Sequence, residues 1–158
     1  MSVIDTLIFD RTLDDVQYVQ QLNTLNLSGM STEQLIEYLS NLKGTYNASD
    51  LNRVESAVNY LIERLKITGN YINLLTKTSW TTYEYVILSE AERYLHNIET
   101  IRSCFTLPDN APDVPEDLNK LTFQEANDIE EILYMVDTII TNISQAWLYS
   151  GDIFAGEV

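Results

Sequence analysis

This sequence predicts a mainly α fold, about five helices in a small bundle, and three observations predict it. Apolar residues recur at helical spacing, most cleanly at Leu51, Val54, Val58, Leu61 and Leu65. Only 5 Gly and 3 Pro interrupt the 158 residues, too few for a turn-rich β-sandwich. Polar capping residues and glycines fall between the apolar stretches, where helices start and stop. A chain of this length can bury a real core, so residues 1–158 read as a single helical domain. Short extended segments are expected at the N-terminus, around 71–88 and at the C-terminus.

Residues 1–9 contain Leu7-Ile8-Phe9, which reads as a short strand or a docking arm. Asp10 or Thr12 starts the first helix, with Asp14 and Asp15 in the turn where the helix dipole favours acids. Val16, Val19 and Leu22 carry its inner stripe to about Thr24, and Asn26–Met30 breaks it. Ser31 or Thr32 caps a short second helix with Leu35, Ile36, Leu39 and Leu42 inward. Gly44 stands where a left-handed C-cap belongs. Asn47 or Ser49 opens the third helix and Gly69 ends it. Tyr71 to Leu88, rich in Tyr, Thr, Trp and Ile, reads as β or irregular. Ser89-Glu90-Ala91-Glu92 has the capping-box pattern, and the fourth helix places Ala91, Leu95, Ile98, Ile101 and Phe105 inward. All three prolines lie in 107–117, a stiff connecting loop. The fifth helix begins near Thr122 and runs to about Trp147, with Ala126, Ile129, Leu133, Val136, Ile140 and Ile143 inward. Residues 149–158 read as an extended tail.

A faint echo connects three of these helices. Leu51-Asn-Arg-Val-Glu55, Leu95-His-Asn-Ile-Glu99 and Ala126-Asn-Asp-Ile-Glu130 each carry a polar pair, a β-branched residue and a glutamate. The segments between them differ in length, so the echo is not a repeat array. Three helices packed around one axis would meet similar demands at similar depths.

The formal net charge is −15, of which 109–158 carry −10. Phosphate binding needs clustered Lys and Arg, so the charge argues against direct nucleic-acid binding and against anionic membranes. A basic protein partner is electrostatically permitted, and solubility alone also accounts for the charge. A single cysteine, Cys104, rules out an intramolecular disulfide. The N-terminus lacks a basic region followed by an apolar run, and no run of 18 apolar residues occurs, so neither signal peptide nor membrane span is expected.

Chemistry finds few footholds. His96, one turn after Glu92, is tied to no Ser or Cys nucleophile. One His and one Cys cannot complete a zinc site, and Asp109, Asp113, Glu116 and Asp117 lack EF-hand spacing. Glu130-Glu131 and Asp14-Asp15 are adjacent pairs about 100° apart on a helix, so neither pair shares one site. No phosphate-cradling glycine loop occurs. The expectation is no enzyme, no cofactor and no metal. Asn52, Arg53 and Glu55 form the most interesting polar group, either a network satisfying nearby backbone or a partner contact through Arg53. Ten tyrosines and two tryptophans exceed the needs of a small core, and Tyr is favoured at interfaces. The candidate partner contacts are Arg53, Tyr46, Trp80, Trp147, Tyr149 and Phe154.

Four motifs accumulate along the chain: Asp10-Arg11-Thr12-x-x-Asp15-Val16; Lys43-Gly44-x-Tyr46-Asn47-x-x-Asp50-Leu51-Asn52-Arg53-Val54-Glu55; Lys77-Thr78-x-Trp80; and Tyr149-Ser150-Gly151-x-x-Phe154-Ala155-Gly156-Glu157. In this order and spacing the chain resembles a module of virion- or tail-associated proteins from phages and prophages of Gram-positive bacteria. The resemblance implies a non-enzymatic structural or assembly protein, tail or baseplate associated, in the virion and in the host cytoplasm during assembly. Its implied partners are other phage structural proteins and, by analogy, further copies of itself. It brings no catalytic residues. The rival expectation is an acidic inhibitor that imitates nucleic acid toward a basic host defence protein.

Overall fold

The computed structural model describes residues 2–40 and 42–154, the side chains of 148–154 excepted. Among the described residues there are five α-helices: α1 (Leu13–Thr24), α2 (Thr32–Leu39), α3 (Ala48–Leu65), α4 (Leu88–Arg102) and α5 (Phe123–Phe154). Among the described residues there is no strand. The mainly α expectation holds, but of the segments expected to be extended, 71–87 is irregular backbone rather than sheet, the N-terminus carries a 3-10 turn over Val3–Thr6, and 149–154 are helical.

Local chemistry sets most boundaries. Thr12, Ser31, Asn47 and Thr122 each open a helix, answered three residues later by Asp15, Gln34, Asp50 and Glu125. These reciprocal bonds satisfy amides that a helix start otherwise leaves without partners. α4 departs from its predicted cap. It begins at Leu88, one residue before Ser89, and Glu90 rather than Glu92 reaches back toward the Ile87 N–H. Glu90 is also held by Lys77 Nζ at 3.0 Å, which ties the helix start to the segment before it.

The two glycines near α3 do different work. Gly69 has φ 83°, the left-handed cap that ends the short 3-10 turn after α3. Gly44 does not take the left-handed conformation expected of it. A Cβ there would run into the backbone of Asp15 and Val16, so its role is to let α1 approach closely.

Helices α3, α4 and α5 form the body and run in the same direction. Arg53 of α3 pairs with Glu130 of α5, and eleven residues later Arg64 pairs with Asp137 and Thr141, so α3 and α5 are parallel. The segment after Gly69 runs backwards along α3, with Thr76 on Asn59 and Trp80 on Asn52. It also runs backwards along α4, with Leu75 on Asn97 and Lys77 on Glu90. Hence α3 and α4 are parallel too. Parallel helices cannot be joined by tight turns: α3 is about 27 Å long, and a returning chain needs at least eight extended residues. This is why 66–87 and 103–122 are long.

The core lies on the shared axis. Val54, Val58, Leu61, Leu65, Ile98, Ile101, Ile129, Leu133, Val136 and Ile140 are buried, as the periodicity predicts. α1 and α2 sit outside this body. α2 buries none of its residues, and Ile36 and Leu39, expected inward, are 64% and 73% exposed. A two-turn helix linked to α1 by Tyr18–Glu37 has no second layer to pack on. α5 passes its predicted end near Trp147 and stays helical to Phe154, while 155–158 lie outside the described residues.

Candidate functional site

An extended chain without a sheet must find partners for its backbone N–H and C=O groups elsewhere. Two such straps cross the three-helix body, and each is held by an Asn-x-x-Glu pair on a helix. On α3, Asn52 accepts the Trp80 N–H through Oδ1 at 2.8 Å and donates Nδ2 to the Trp80 carbonyl at 2.9 Å. One turn on, Glu55 accepts the Lys77 N–H at 3.1 Å. On α5, Asn127 accepts the Arg11 N–H at 3.0 Å and donates to the Arg11 carbonyl at 2.9 Å. One turn on, Glu130 accepts the Ile8 N–H at 2.7 Å. In both cases the amide grips one residue at both backbone groups, and the carboxylate grips the residue three earlier. The run Leu7-Ile8-Phe9 is therefore an arm docked on the chain's own α5.

The α5 clasp closes over a polar interior completed by Asp50 and Arg53 of α3. Glu130 is fully buried and takes a bidentate pair from Arg53, Nε at 2.9 Å and Nη2 at 2.7 Å. Arg11, whose side chain is 1% exposed, bridges Glu130 at 2.7 Å and Asp50 at 2.9 Å. Its other terminal nitrogen reaches the Ile8 carbonyl, and its guanidinium lies 5.5 Å from the Tyr46 ring. Two arginines and two carboxylates balance here, which makes burial of the group tolerable. Burial alone would lower the Arg53 pKa, but hydrogen bonds and charge from Glu130, then Asp50, outweigh it and hold the guanidinium more firmly protonated. Next to the network, the Tyr46 and Tyr94 hydroxyls bond to each other. Burial pushes both far above the ordinary phenol range, Tyr46 further through Glu130 and Tyr94 further through Tyr46, so both stay neutral.

The α3 clasp has its own cation. Arg93 of α4 binds Glu55 through both terminal nitrogens, at 2.6 and 3.1 Å, and donates to the Leu75 carbonyl at 2.8 Å. Buried Asn97 donates to the same carbonyl. Lys77 lies over the Trp80 ring, 3.6 Å from its centre, between Glu84 and Glu90. The hydrogen bond that its ammonium donates to Glu90 is the main cause of its raised pKa.

Each residue singled out in the sequence has a place. Arg53 is inside the ionic network, Trp80 is in the core, and Tyr46 is half-buried with its hydroxyl inward. Trp147 is 56% exposed on α5. The side chains of Tyr149 and Phe154 lie outside the described residues. His96 and Glu92 are both exposed. Of the group expected around Asn52, Arg53 and Glu55, Asn52 and Glu55 satisfy the backbone of Trp80 and Lys77, while Arg53 pairs with Glu130 and Asp50 instead. Sequence reasoning missed the depth of Arg11, Asp50 and Glu130 and the second clasp through Asn127. The echo between 51–55 and 126–130 was the signal that could have found them.

Tyr46 borders three open surface cavities at the N-terminal end of the body, of about 380, 330 and 270 Å³. The largest is bounded by Leu51 of α3, Leu88 and Ala91 of α4, and Leu121 before α5. Among the described residues no three His, Cys, Asp or Glu side chains group so as to hold a metal ion. Among them, too, no helix is long and apolar enough to cross a membrane. No family model, no curated protein and no solved structure matches the chain.

Proposed function

We propose that this protein is a non-enzymatic structural or assembly component of a phage particle, associated with the tail or baseplate and working by protein–protein contact. One observation carries the reading. Six polar residues from three of the four motifs behind the phage resemblance – Arg11, Asp50, Asn52, Arg53, Glu55 and Lys77 – take part, with Asn127 and Glu130, in holding two straps onto a parallel helical body. Their hydrogen bonds are made inside the chain, which suits a rigid part better than a reaction centre. Mass spectrometry of purified particles tests the proposal: the protein is expected in intact virions, and its absence from them overturns the structural reading. Antibody labelling at the tail rather than the head then tests the location.

A second reading has one specific observation behind it. Burial, followed by Glu131, Glu125 and Asp113, raises the pKa of Asp128, which marks a concentration of negative charge on α5. Such a surface suits an inhibitor that imitates nucleic acid toward a basic host protein. Glu130 is excluded from it, being buried between Arg11 and Arg53. Salt-sensitive binding to a basic host nuclease, lost when Glu125, Asp128 and Glu131 are neutralised together, is the expected result for this reading. Salt-independent binding, or none, counts against it.

A further inference from the structure

α5 outlasts the body it belongs to. It has 32 residues against 18 in α3 and 15 in α4. The end of α3 is level with Thr141, where Arg64 Nη2 meets the Thr141 hydroxyl at 3.0 Å. Ile140 is the last buried residue on α5 among those whose side chains are described, and Ile143 is half-buried. Gln145, Ala146 and Trp147 are exposed, yet the backbone stays helical to Phe154, about 20 Å beyond Ile140.

The sequence of this projecting part does not become polar, as a helix entering solvent should. Its heptad register continues, apolar at every position but Ser150. Ile129, Leu133, Val136, Ile140, Ile143, Trp147, Ser150 and Phe154 follow one another at alternating spacings of 4 and 3 residues. That is an a/d heptad seam, the pattern of a helix that packs along its whole length against another helix. Over the first half the seam is covered by α3 and α4. Charge points to what covers the second half. Residues 138–151 hold no charged side chain, in a chain with 24 acids and a net charge of −15. Two copies of so acidic a protein repel, and this stretch is where they can approach without facing like charges. A free two-heptad helix would be marginal in water, but this one is already nucleated by the folded body.

We propose that α5 from Ile143 onward is a self-association helix, packing as a coiled coil against the same segment of a second copy of this chain. It does not depend on the particle reading, since a protein of any role could assemble this way and a monomer could still be a virion part. The test is the mass of the full chain in solution, by light scattering and sedimentation at about 100 µM. The wild type is expected at twice the monomer mass or more. Ile143→Glu/Trp147→Glu, which puts charge in the seam, is expected to lower the mass at least twofold while the body's melting transition is kept. Thr138→Glu/Gln145→Glu adds the same charge on the outer face of the helix and is expected to leave the mass unchanged. A monomeric wild type overturns the proposal. So does a seam variant that keeps the wild-type mass, or an outer-face variant that dissociates equally.

Discussion

The two clasps are built alike and sealed differently. Asn52 and Glu55 on α3 do to Lys77–Trp80 what Asn127 and Glu130 on α5 do to Ile8–Arg11, with hydrogen bonds of nearly the same length. Both glutamates are buried. The difference lies in their cations. Arg93, which answers Glu55, is 22% exposed and can reach water. Of the two that answer Glu130, Arg11 is enclosed with Asp50, and Arg53 is 11% exposed, half as much as Arg93. A shared sequence pattern thus fixes shared geometry, while the surroundings decide how much each copy of it matters to stability.

The largest effect is expected from Glu130→Ala. It leaves two arginines sharing one aspartate and removes the acceptor for Ile8, a loss of about 3–5 kcal/mol in denaturant unfolding. Glu55→Ala should lose less, about 1.5–3 kcal/mol, because Arg93 can turn to solvent. If the two losses are equal, enclosure is not what separates the clasps. Asn127→Ala and Asn52→Ala come next, about 1–3 kcal/mol each, and close to one another because each strips two backbone groups of the same partner type. A wide gap between them would break the geometric equivalence.

The smallest effect has the opposite sign. The raised Asp128 pKa means that its ionised form disfavours the folded state, chiefly through burial and then through neighbouring acids. Its favourable contribution is present at low pH and is lost as pH rises through the folded-state pKa. Asp128→Asn should therefore raise the melting temperature slightly at neutral pH, and the gain should fade on acidification. A constant gain at all pH values would mean that charge is not the cause.

Much of this fold was readable because helices are written locally. Caps at Thr12, Ser31, Asn47 and Thr122 need only residues three apart, and the stripe from Leu51 to Leu65 needs only one helix. The polar site was half readable. The echo between Leu51–Glu55 and Ala126–Glu130 pointed toward equivalent depths on helices packed around a common axis. What Asn127 and Glu130 hold, however, lies 116 and 122 residues away, and spacing along one helix says nothing about that. For the same reason the sequence counts Glu130 within the −10 of 109–158 without showing that its charge is answered from α3 and from the N-terminal arm. Ile36 and Leu39 failed differently: α2 has an apolar face, but it lies outside the body.

Side chains, not a sheet, hold both straps to the helices. Amide hydrogen exchange resolved by residue tests it most directly. The N–H groups of Ile8, Arg11, Lys77 and Trp80 are expected to exchange slowly, near the rates of the α3 core, despite lying in irregular backbone. Glu130→Ala and Asn127→Ala are expected to free the first two more than the last two. Exchange of all four at the rates of exposed loops would contradict this anchoring.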